Sequence, residues 1–392
     1  MPIALWALTI SAFAIGTTEF VIMGLLPEVA ASLGVTLSAA GMLVTGYALG
    51  VFVGAPLVTA TTGRLPRKTL LMALMVVFVI GNLACALAPD YNTLMIGRII
   101  ASFAHGAFFG VGSVVATGLV PKEKQASAIA LMFTGLTVAN VLGVPFGTWL
   151  GQMYGWRATF WAVTAIGVVA LAATGLLVPR SQGGEPADFG RELRVLGRPQ
   201  VLLGLAMTVL GFGGVFAAFT YIAPILTDIS GFAPAAVSPI LLLFGVGLVI
   251  GNLAGGKLSD RRLMPTLVGS LIALAVVLVL FGLTNENKIA SIIGVGLLGM
   301  AAFATVPPLQ MRVLEKATGA PNLASSVNIA AFNLGNAAGA WLGGLTIDHG
   351  PGLHAVPYVA AILPVAGIAV ALVSWRMDKP APLAATRQQQ AR

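Results

Sequence analysis

The sequence has little charge and almost no cysteine. Only 9% of its 392 residues are charged, against roughly 25% in ordinary soluble domains, and Cys85 is its single cysteine. These scarcities exclude a soluble globule, a disulfide-stabilised scaffold and a disordered chain. The net charge of +8 is scattered among apolar runs, so a nucleic-acid-binding surface is not expected. The sequence shows no cluster of metal-ligand residues and no pairing of a nucleophile with a base, so an enzyme is not expected.

Hydrophobic residues make up 58% of the chain and fall into long runs. A helix needs about 20 mostly apolar residues to cross a bilayer, and here charges, prolines and glycines separate runs of that length. The sequence therefore predicts an all-α polytopic membrane protein without a soluble domain. The twelve predicted spans cover residues 3–26, 39–60, 70–88, 94–119, 126–150, 157–178, 201–226, 238–256, 266–283, 289–310, 323–347 and 354–375.

Lysine and arginine are distributed unevenly between alternate loops. One set of loops, with the residues after the last span, carries 18 of the 21 basic residues. The opposite loops hold only Arg157 and Lys288, together with acids such as Glu28 and Asp90. Because cytoplasmic loops collect positive charge, both termini are predicted to be cytoplasmic.

The second half of the chain repeats the first. Pro27 matches Pro224 and Arg64 matches Arg261 at an offset of 197 residues, and residues 143–151 resemble residues 335–343. Two six-helix halves in one orientation are the parallel-repeat arrangement of a transporter whose halves rock about a central site. The predicted division is an N-terminal bundle at 1–178, a cytoplasmic linker at 179–200, a C-terminal bundle at 201–376 and a cytoplasmic tail at 377–392.

The loop at residues 256–261 reads Gly-Lys-Leu-Ser-Asp-Arg. It resembles the signature between the second and third helices of each half in the major facilitator superfamily. The first-half copy has Gly63 at the position of the acid. The resemblance implies the twelve-helix fold of that superfamily and two pseudo-symmetric six-helix bundles. It also implies a gating role for Arg64, Arg67, Lys68, Gly256, Asp260 and Arg261.

The fifth predicted span contains Gly143, Pro145 and Gly147, which resemble the antiporter motif of drug/proton exporters. Within that group, the sequence is most similar to bacterial sugar efflux transporters of the arabinose type in residues 18–20, 105–112 and 333–336. The resemblance implies proton-driven export. Small residues four apart ordinarily let helices pack closely; the functional interpretation is a seam that slides as the halves rock. Pro145 is expected to bend its helix.

Two formally charged residues, Glu19 and Arg98, lie within the predicted spans, with His105 as the other titratable group there. A charge at the centre of a spanning helix costs about 2.5–3.5 kcal/mol, so it usually marks a pathway or a relay. Glu19 and Arg98 fall at a similar depth and are expected to pair. Glu19 is the predicted proton carrier, since burial favours a neutral carboxyl and a neighbouring arginine favours the carboxylate. Arg98 would tune it and His105 would relay the proton; a fixed ion pair and a packed histidine are the structural alternatives.

Amides and aromatic rings within the spans are the candidates for a substrate cavity between the halves. A buried amide either binds substrate or bonds to a neighbouring helix, because it needs a partner. An aromatic ring either contacts an amphiphilic substrate or packs against lipid and protein. The candidates are Phe20, Tyr47, Phe103, Phe108, Asn140, Phe216, Phe219, Tyr221, Asn328, Asn333 and Asn336.

These features predict a secondary transporter, not an enzyme, that exports an amphiphilic drug or a sugar-like compound across a bacterial inner membrane in exchange for protons. No cofactor is expected, and the proton gradient is the predicted energy source. ATP is not the predicted fuel, because residues 251–258 resemble a phosphate-binding loop but Leu258 stands where such a loop needs Ser or Thr for magnesium. The expected partners are a small molecule, protons and the lipid bilayer, without nucleic acid, and the resemblance implies a monomer. Two alternatives stay open: a proton-coupled sugar or metabolite symporter or facilitator, and a non-transporting membrane sensor.

Overall fold

The computed structural model describes residues 2–62, 65–121, 124–180 and 194–378, and its long elements there are all helical, as predicted. In the N-terminal half they are α1 Ala4–Gly24, α2 Leu26–Leu33, α3 Leu37–Thr62, α4 Arg67–Leu87, α5 Tyr91–Gly118, α6 Gln125–Val138, α7 Val144–Tyr154 and α8 Trp156–Leu177. In the C-terminal half they are α9 Pro199–Phe219, α10 Pro234–Ser259, α11 Leu263–Thr284, α12 Lys288–Ala304, α13 Val306–Lys316, α14 Pro321–His349 and α15 Val356–Met377.

Within the described residues, eleven helical segments are long and apolar enough to cross a membrane. The remaining predicted span is α14, whose 29 residues extend about 43 Å at 1.5 Å per residue. It is less apolar because it carries a series of asparagines, among them Asn328, Asn333 and Asn336. The all-α polytopic fold predicted from the hydrophobic runs is thus confirmed.

Two spans are interrupted near prolines. Between α6 and α7, residues Ala139–Gly143 form a π-helical turn, and the Val144 N–H donates to the carbonyl of Ala139. Pro145 has no N–H and its ring displaces the carbonyl one turn earlier, so the helix widens there. Between α12 and α13, Thr305 interrupts the helix just before Pro307 and Pro308. The first interruption lies in a span that contacts the opposite half, whereas the second lies in a span that packs within its own half.

The glycine series of α7 and α14 lie within the two halves. Gly143 and Gly147 pack against Thr17 and Val21 of α1. In the other half, Gly339 contacts the main chain of α9 at Gly213. The glycines therefore bring the fifth and eleventh spans close to the first helix of their own half, as the packing interpretation expects. Sliding along this contact stays a prediction.

The two halves meet through α3 against α14 and through α7 against α10. We call the end of the bundle that carries Arg67 and Lys257 the basic end, and the opposite one the acidic end. Ser238 Oγ of α10 donates to the carbonyl of Pro145 at 2.6 Å. Nearer the acidic end, Gln152 Nε2 donates to the carbonyl of Pro234 at 3.0 Å. Direct hydrogen bonds thus join the halves towards the acidic end.

Arg312 corrects the expectation that only Glu19 and Arg98 are buried charges. The sequence places it in a loop after residue 310, but α13 continues to Lys316 and the Arg312 side chain is buried. Its Nη1 lies 2.9 Å from Asp378 Oδ2, and its Nη2 donates to Ser374 Oγ at 2.7 Å. The partners come from the end of α15, which is distant in sequence, so the local hydrophobic pattern could not indicate this burial.

Candidate functional site

Close packing of α3 against α5 sets the geometry of the buried polar residues. A Cβ at Gly54 would lie only 2.6 Å from the Phe103 ring, so glycine is needed for this approach. Helix α5 begins after Asp90, whose carboxylate accepts a hydrogen bond from the Thr93 N–H at 2.9 Å. That hydrogen bond holds the pKa of Asp90 below its ordinary value. Two turns further along α5, Arg98 reaches the interior of the N-terminal half.

Four side chains from three helices form what we call the buried polar cluster: Glu19 of α1, Tyr47 of α3, and Arg98 and His105 of α5. All four are at most 6% exposed. Glu19 Oε2 lies 3.7 Å from His105 Nδ1, and Tyr47 Oη lies 3.3 Å from the same nitrogen. The first distance is slightly longer than a hydrogen bond, so a small rotation of either side chain closes it. A carboxyl and an imidazole in this position can exchange a proton.

Arg98 does not form the expected ion pair with the Glu19 carboxylate. Its guanidinium donates instead to the main-chain carbonyls of Thr18 and Glu19, the latter at 3.4 Å. The same group lies 4.2 Å above the centre of the Tyr47 ring. The predicted similarity in depth holds, but the planar guanidinium is bound by main-chain oxygens and an aromatic face. Arg98 therefore fixes α1 against α5 and leaves the carboxylate to His105.

Two further side chains, Asn82 and Phe109, hold this cluster in place. Thr18 Oγ1 donates to Asn82 Oδ1 at 2.5 Å, and Asn82 Nδ2 donates to the carbonyl of Phe78. The His105 ring packs against Phe109, with ring centres 5.4 Å apart. A polar side chain of α4 thus holds the Thr18 side chain, next to Glu19 on α1, and an aromatic ring limits rotation of the imidazole.

A second cluster, the central aromatic cluster, joins the halves. Phe20 of α1 meets Phe216 of α9 with ring centres 5.7 Å apart. Phe216 in turn contacts Phe212, which packs edge-on against Phe332 of α14 and Phe303 of α12. Phe20 follows Glu19 directly in the chain, so one helix of the N-terminal half carries both the acid and the contact to the other half.

The four asparagines predicted as substrate-cavity candidates fall into two groups. Asn328 is satisfied, since its Oδ1 accepts from Thr208 Oγ1 at 2.7 Å and its Nδ2 donates to Gln310 Oε1 at 2.6 Å. The Oδ1 atoms of Asn140, Asn333 and Asn336 are buried and accept no hydrogen bond from the described residues. Buried acceptors are normally paired. Three unpaired ones on two helices that border the opposite half are candidate contacts for a ligand.

The remaining aromatic candidates have structural partners. Tyr47 belongs to the buried polar cluster, and Phe108 lies in the core of the N-terminal half, edge-on to Phe109. Phe103 is half-buried between α3 and α5. Phe219 stacks on Phe244 with ring centres 3.9 Å apart, and the Tyr221 hydroxyl donates to the carbonyl of Ala340 at 3.0 Å.

The residues predicted to take part in gating lie in or beside the loops at the basic end. Arg64 lies outside the described residues, and Arg67 and Lys68 open α4. Asp260 and Arg261 follow α10 and are exposed. Within the described chain, no carboxylate lies within 4.0 Å of a charged nitrogen of Arg261 or Arg262.

Sequence reasoning missed Phe212, Phe303 and Phe332 of the central aromatic cluster. Phe212 lies four residues before Phe216 and so on the same face of α9, which was a usable signal. Phe332 lies four residues before Asn336 on α14 and could have been found in the same way. Phe303 belongs to another span, and only the packing of α12 against α10 brings it to the centre.

Comparison with known proteins agrees with this architecture. The model of the Major Facilitator Superfamily matches residues 8–323. The chain is 51% identical over 369 residues to the inner membrane transport protein YdhP of Escherichia coli O157:H7, covering 94% of each chain. It is 37% identical over 384 residues to a chloramphenicol resistance protein of Streptomyces lividans, covering 95% of each.

Among solved structures, the fold is similar to that of a D-xylose–proton symporter, with a TM-score of 0.79, 16% identity and coverage of 95% of this chain and 96% of that one. At that identity the likeness concerns the fold alone. The family match and the relatives above 30% identity extend over most of the chain. The chain therefore belongs to the major facilitator superfamily and is a multi-pass transporter of inner-membrane type, not an enzyme.

Proposed function

We propose that the protein exports a small amphiphilic molecule in exchange for protons, with Glu19 as the proton carrier. The observation that carries the proposal is the Glu19 carboxylate, buried in a spanning helix and 3.7 Å from His105 Nδ1. A buried carboxyl without a permanent cationic partner is expensive to keep charged. Alternating its exposure between the two sides of the membrane would load and release a proton in each cycle.

The proton site and the substrate site are coupled in this proposal through α1. Glu19 and Phe20 are neighbours, and Phe20 contacts Phe216 of the other half. A change in the charge of Glu19 alters its interaction with His105 and thereby the position of α1. Because Phe20 is rigidly attached to the same helix, the contact between the halves shifts with it. Substrate bound at that contact would favour one of the two arrangements.

The substrate we propose is an uncharged or weakly charged compound with an apolar body and hydrogen-bond donors. The central aromatic cluster supplies flat apolar surface, and the free Oδ1 atoms of Asn140, Asn333 and Asn336 supply acceptors. The chloramphenicol resistance protein that the chain resembles supports an amphiphilic antibiotic as a first probe. A sugar-like compound is the second probe, because amide oxygens also accept hydrogen bonds from hydroxyl groups.

We further propose that the basic end faces the cytoplasm, as the distribution of lysine and arginine indicates. The loops containing Arg67 and Arg261 would then form and break contacts at the cytoplasmic end while the halves rock. Residues 179–200 would link the halves on that side. Modification of single cysteines introduced at 67 and 261, in cells and in inverted vesicles, tests this orientation. The single native thiol, Cys85, is buried and gives a low background.

The experiment that tests the transport proposal uses inverted membrane vesicles energised by respiration, with a pH-sensitive dye. Addition of chloramphenicol or arabinose to wild-type vesicles should release protons from the lumen as substrate enters. Glu19→Gln should abolish that release, because the amide has the size of the carboxyl and cannot titrate. Substrate counterflow without a proton gradient should persist in the variant, since binding and rocking remain.

Glu286→Gln is the matched control, because Glu286 is exposed at the acidic end and its substitution should leave proton release unchanged. Proton release by Glu19→Gln at the wild-type rate would show that Glu19 is structural. Proton movement in the opposite direction on addition of substrate would identify a symporter. Binding of either probe without transport by the wild type would favour a sensor.

A further inference from the structure

A lateral groove opens on the outside of the C-terminal half, away from both clusters described above. It has a volume of about 500 Å³ and lies between the end of α10, the start of α11 and the bend between α12 and α13. Its walls are mainly apolar and include Leu258, Ala273 and Ala304, while Arg261 and Arg262 stand at its rim. The exposed neighbour Ile272 is apolar as well, so this side of the bundle faces lipid chains.

The shape of the groove is set by small residues. Gly255 of α10 packs directly against the main chain of Ala304, which closes the back of the groove. At Gly269 of α11 the position of a Cβ meets nothing within 4 Å, so the groove is open there. Ala273 lies eleven residues after Arg262, or about 16 Å along a helix at 1.5 Å per residue. That depth is about half of a 30 Å hydrocarbon core, which is the length of one acyl chain in a leaflet.

The rim has the opposite chemistry. Arg261 and Arg262 are adjacent and exposed, and no carboxylate of the described chain lies within 4.0 Å of their charged nitrogens. A guanidinium binds phosphate through two parallel hydrogen bonds. Thr266 lines the groove one turn below the rim, and its hydroxyl donates to the carbonyl of Arg262 at 2.8 Å. Positive charge at the level of the headgroups, above an apolar slot, is complementary to an anionic phospholipid.

We propose that this lateral groove is a binding site for an anionic phospholipid, with one acyl chain along Gly269 and Ala273 and the phosphate on Arg261 and Arg262. The lipid would bridge the α10–α11 turn and the bend of the tenth span. A zwitterionic lipid fits the slot equally well, but its headgroup amine opposes the two arginines. The site is independent of the proposed proton and substrate clusters.

The test is native mass spectrometry of the full chain in dodecyl maltoside micelles doped with phosphatidylglycerol or phosphatidylcholine. The wild type should retain phosphatidylglycerol in preference. Gly269→Leu fills the slot from an open position and should lose retention of both lipids, whereas Gly118→Leu, also at an open helical glycine, should behave as wild type. Arg261→Gln with Arg262→Gln should reduce the preference roughly thirtyfold, since each basic residue near anionic lipid contributes about a factor of five.

Equal retention of the two lipids by the wild type would overturn the proposal, as would unchanged retention by Gly269→Leu. Arg376→Gln, which removes an exposed arginine outside the groove, controls for general attraction of anionic lipid to the basic end. If Gly269→Leu does not yield folded protein, the double arginine variant decides alone. Cross-linking of Gly269→Cys to a protein in native membranes, without retained lipid, would also contradict the assignment.

Discussion

Arg98 donates to the main-chain carbonyl of Glu19 at 3.4 Å, whereas the carboxylate of the same residue lies beside His105. Arg98, the cation predicted at the depth of Glu19, therefore uses its hydrogen bonds on main-chain carbonyls. This arrangement keeps a guanidinium close enough to influence the carboxylate electrostatically without neutralising it by direct contact. It also leaves the imidazole as the nearest group that can exchange a proton with Glu19.

Arg98→Lys should destabilise the protein by about 1.5–3 kcal/mol, because a lysine cannot bind both carbonyls and also cover the Tyr47 ring. The matched control is Arg157→Lys. Arg157 likewise donates to a carbonyl, that of Ala88, and covers the Trp156 ring, but it is partly exposed. The free energy of unfolding of both variants is measured in mixed micelles. An equal loss of stability in the two variants would mean that the burial of Arg98 does not increase its contribution to stability.

His105→Gln separates a proton relay from a packed histidine. Glutamine retains hydrogen-bonding capacity but does not titrate. We expect proton-driven transport to fall strongly while substrate counterflow continues, because the partner of Glu19 is lost and the cavity is not. Proton release in inverted vesicles and counterflow of labelled substrate give the two readouts. Unchanged coupling with the same pH profile as wild type would make His105 a packing residue.

Phe212→Leu should weaken binding of an aromatic amphiphile by about 1 kcal/mol for a lost ring contact, roughly a fivefold rise in Kd. Phe212 contacts three rings of the central aromatic cluster, and leucine keeps most of its apolar volume. Phe146→Leu is the control, because Phe146 is 61% exposed on the outer surface of α7. Equal affinity of both variants for the amphiphile would remove Phe212 from the substrate site.

Asn328→Leu should lower the stability of the protein, whereas Asn336→Leu should lower its affinity for substrate. Asn328 pairs with Thr208 and Gln310, so its loss leaves buried groups unpaired and costs about 1–3 kcal/mol of stability. The Asn336 Oδ1 accepts no hydrogen bond from the described residues, so its removal should leave stability unchanged or higher while substrate affinity falls. Thermal unfolding and substrate binding of the purified variants test both statements. A destabilised Asn336→Leu would indicate a structural role.

Asp378→Asn should destabilise the C-terminal half by about 1.5–3 kcal/mol, because Arg312 loses a charge-assisted pair. Partial burial raises the pKa of Asp378, but hydrogen bonds from Arg312 and Lys316 outweigh it and hold the pKa below its ordinary value of 3.8. A pKa lowered on folding stabilises the protein above the unfolded value, and this contribution is lost as the pH falls through the folded pKa.

At pH values below about 4, the wild type should therefore lose part of its free energy of unfolding. Asp378→Asn should not show this loss, because it lacks the titrating carboxyl. Unfolding between pH 3 and pH 7 in the same detergent measures the difference. Glu315→Gln is the control, since Glu315 is half-exposed and lies 3.7 Å from Arg312 on the same helix. An identical acid dependence of Asp378→Asn and the wild type would mean that folding does not lower the pKa of Asp378.

Hydrophobic runs and their spacing determined most of the fold. Runs of about 20 apolar residues have few alternatives to membrane-spanning helices, because backbone groups in lipid must be paired within the segment. The internal repeat further indicated two similar halves. The extent of α13 was missed, since the burial of Arg312 depends on Asp378 and Ser374, more than sixty residues away. Short-range hydropathy contains no information about such partners.

For the candidate site, too, the sequence indicated the residues and the tertiary structure decided their contacts. By rarity alone, the sequence indicated Glu19, Arg98 and His105 as candidates, because an ionisable group in a spanning helix is costly and usually marks a pathway or a relay. Their mutual geometry required the tertiary structure. Close approach of α3 brings Tyr47 between Arg98 and His105, and packing of α1 presents main-chain carbonyls to the guanidinium. Which partner each charge takes depends on distances between helices, and a one-dimensional pattern does not specify those distances.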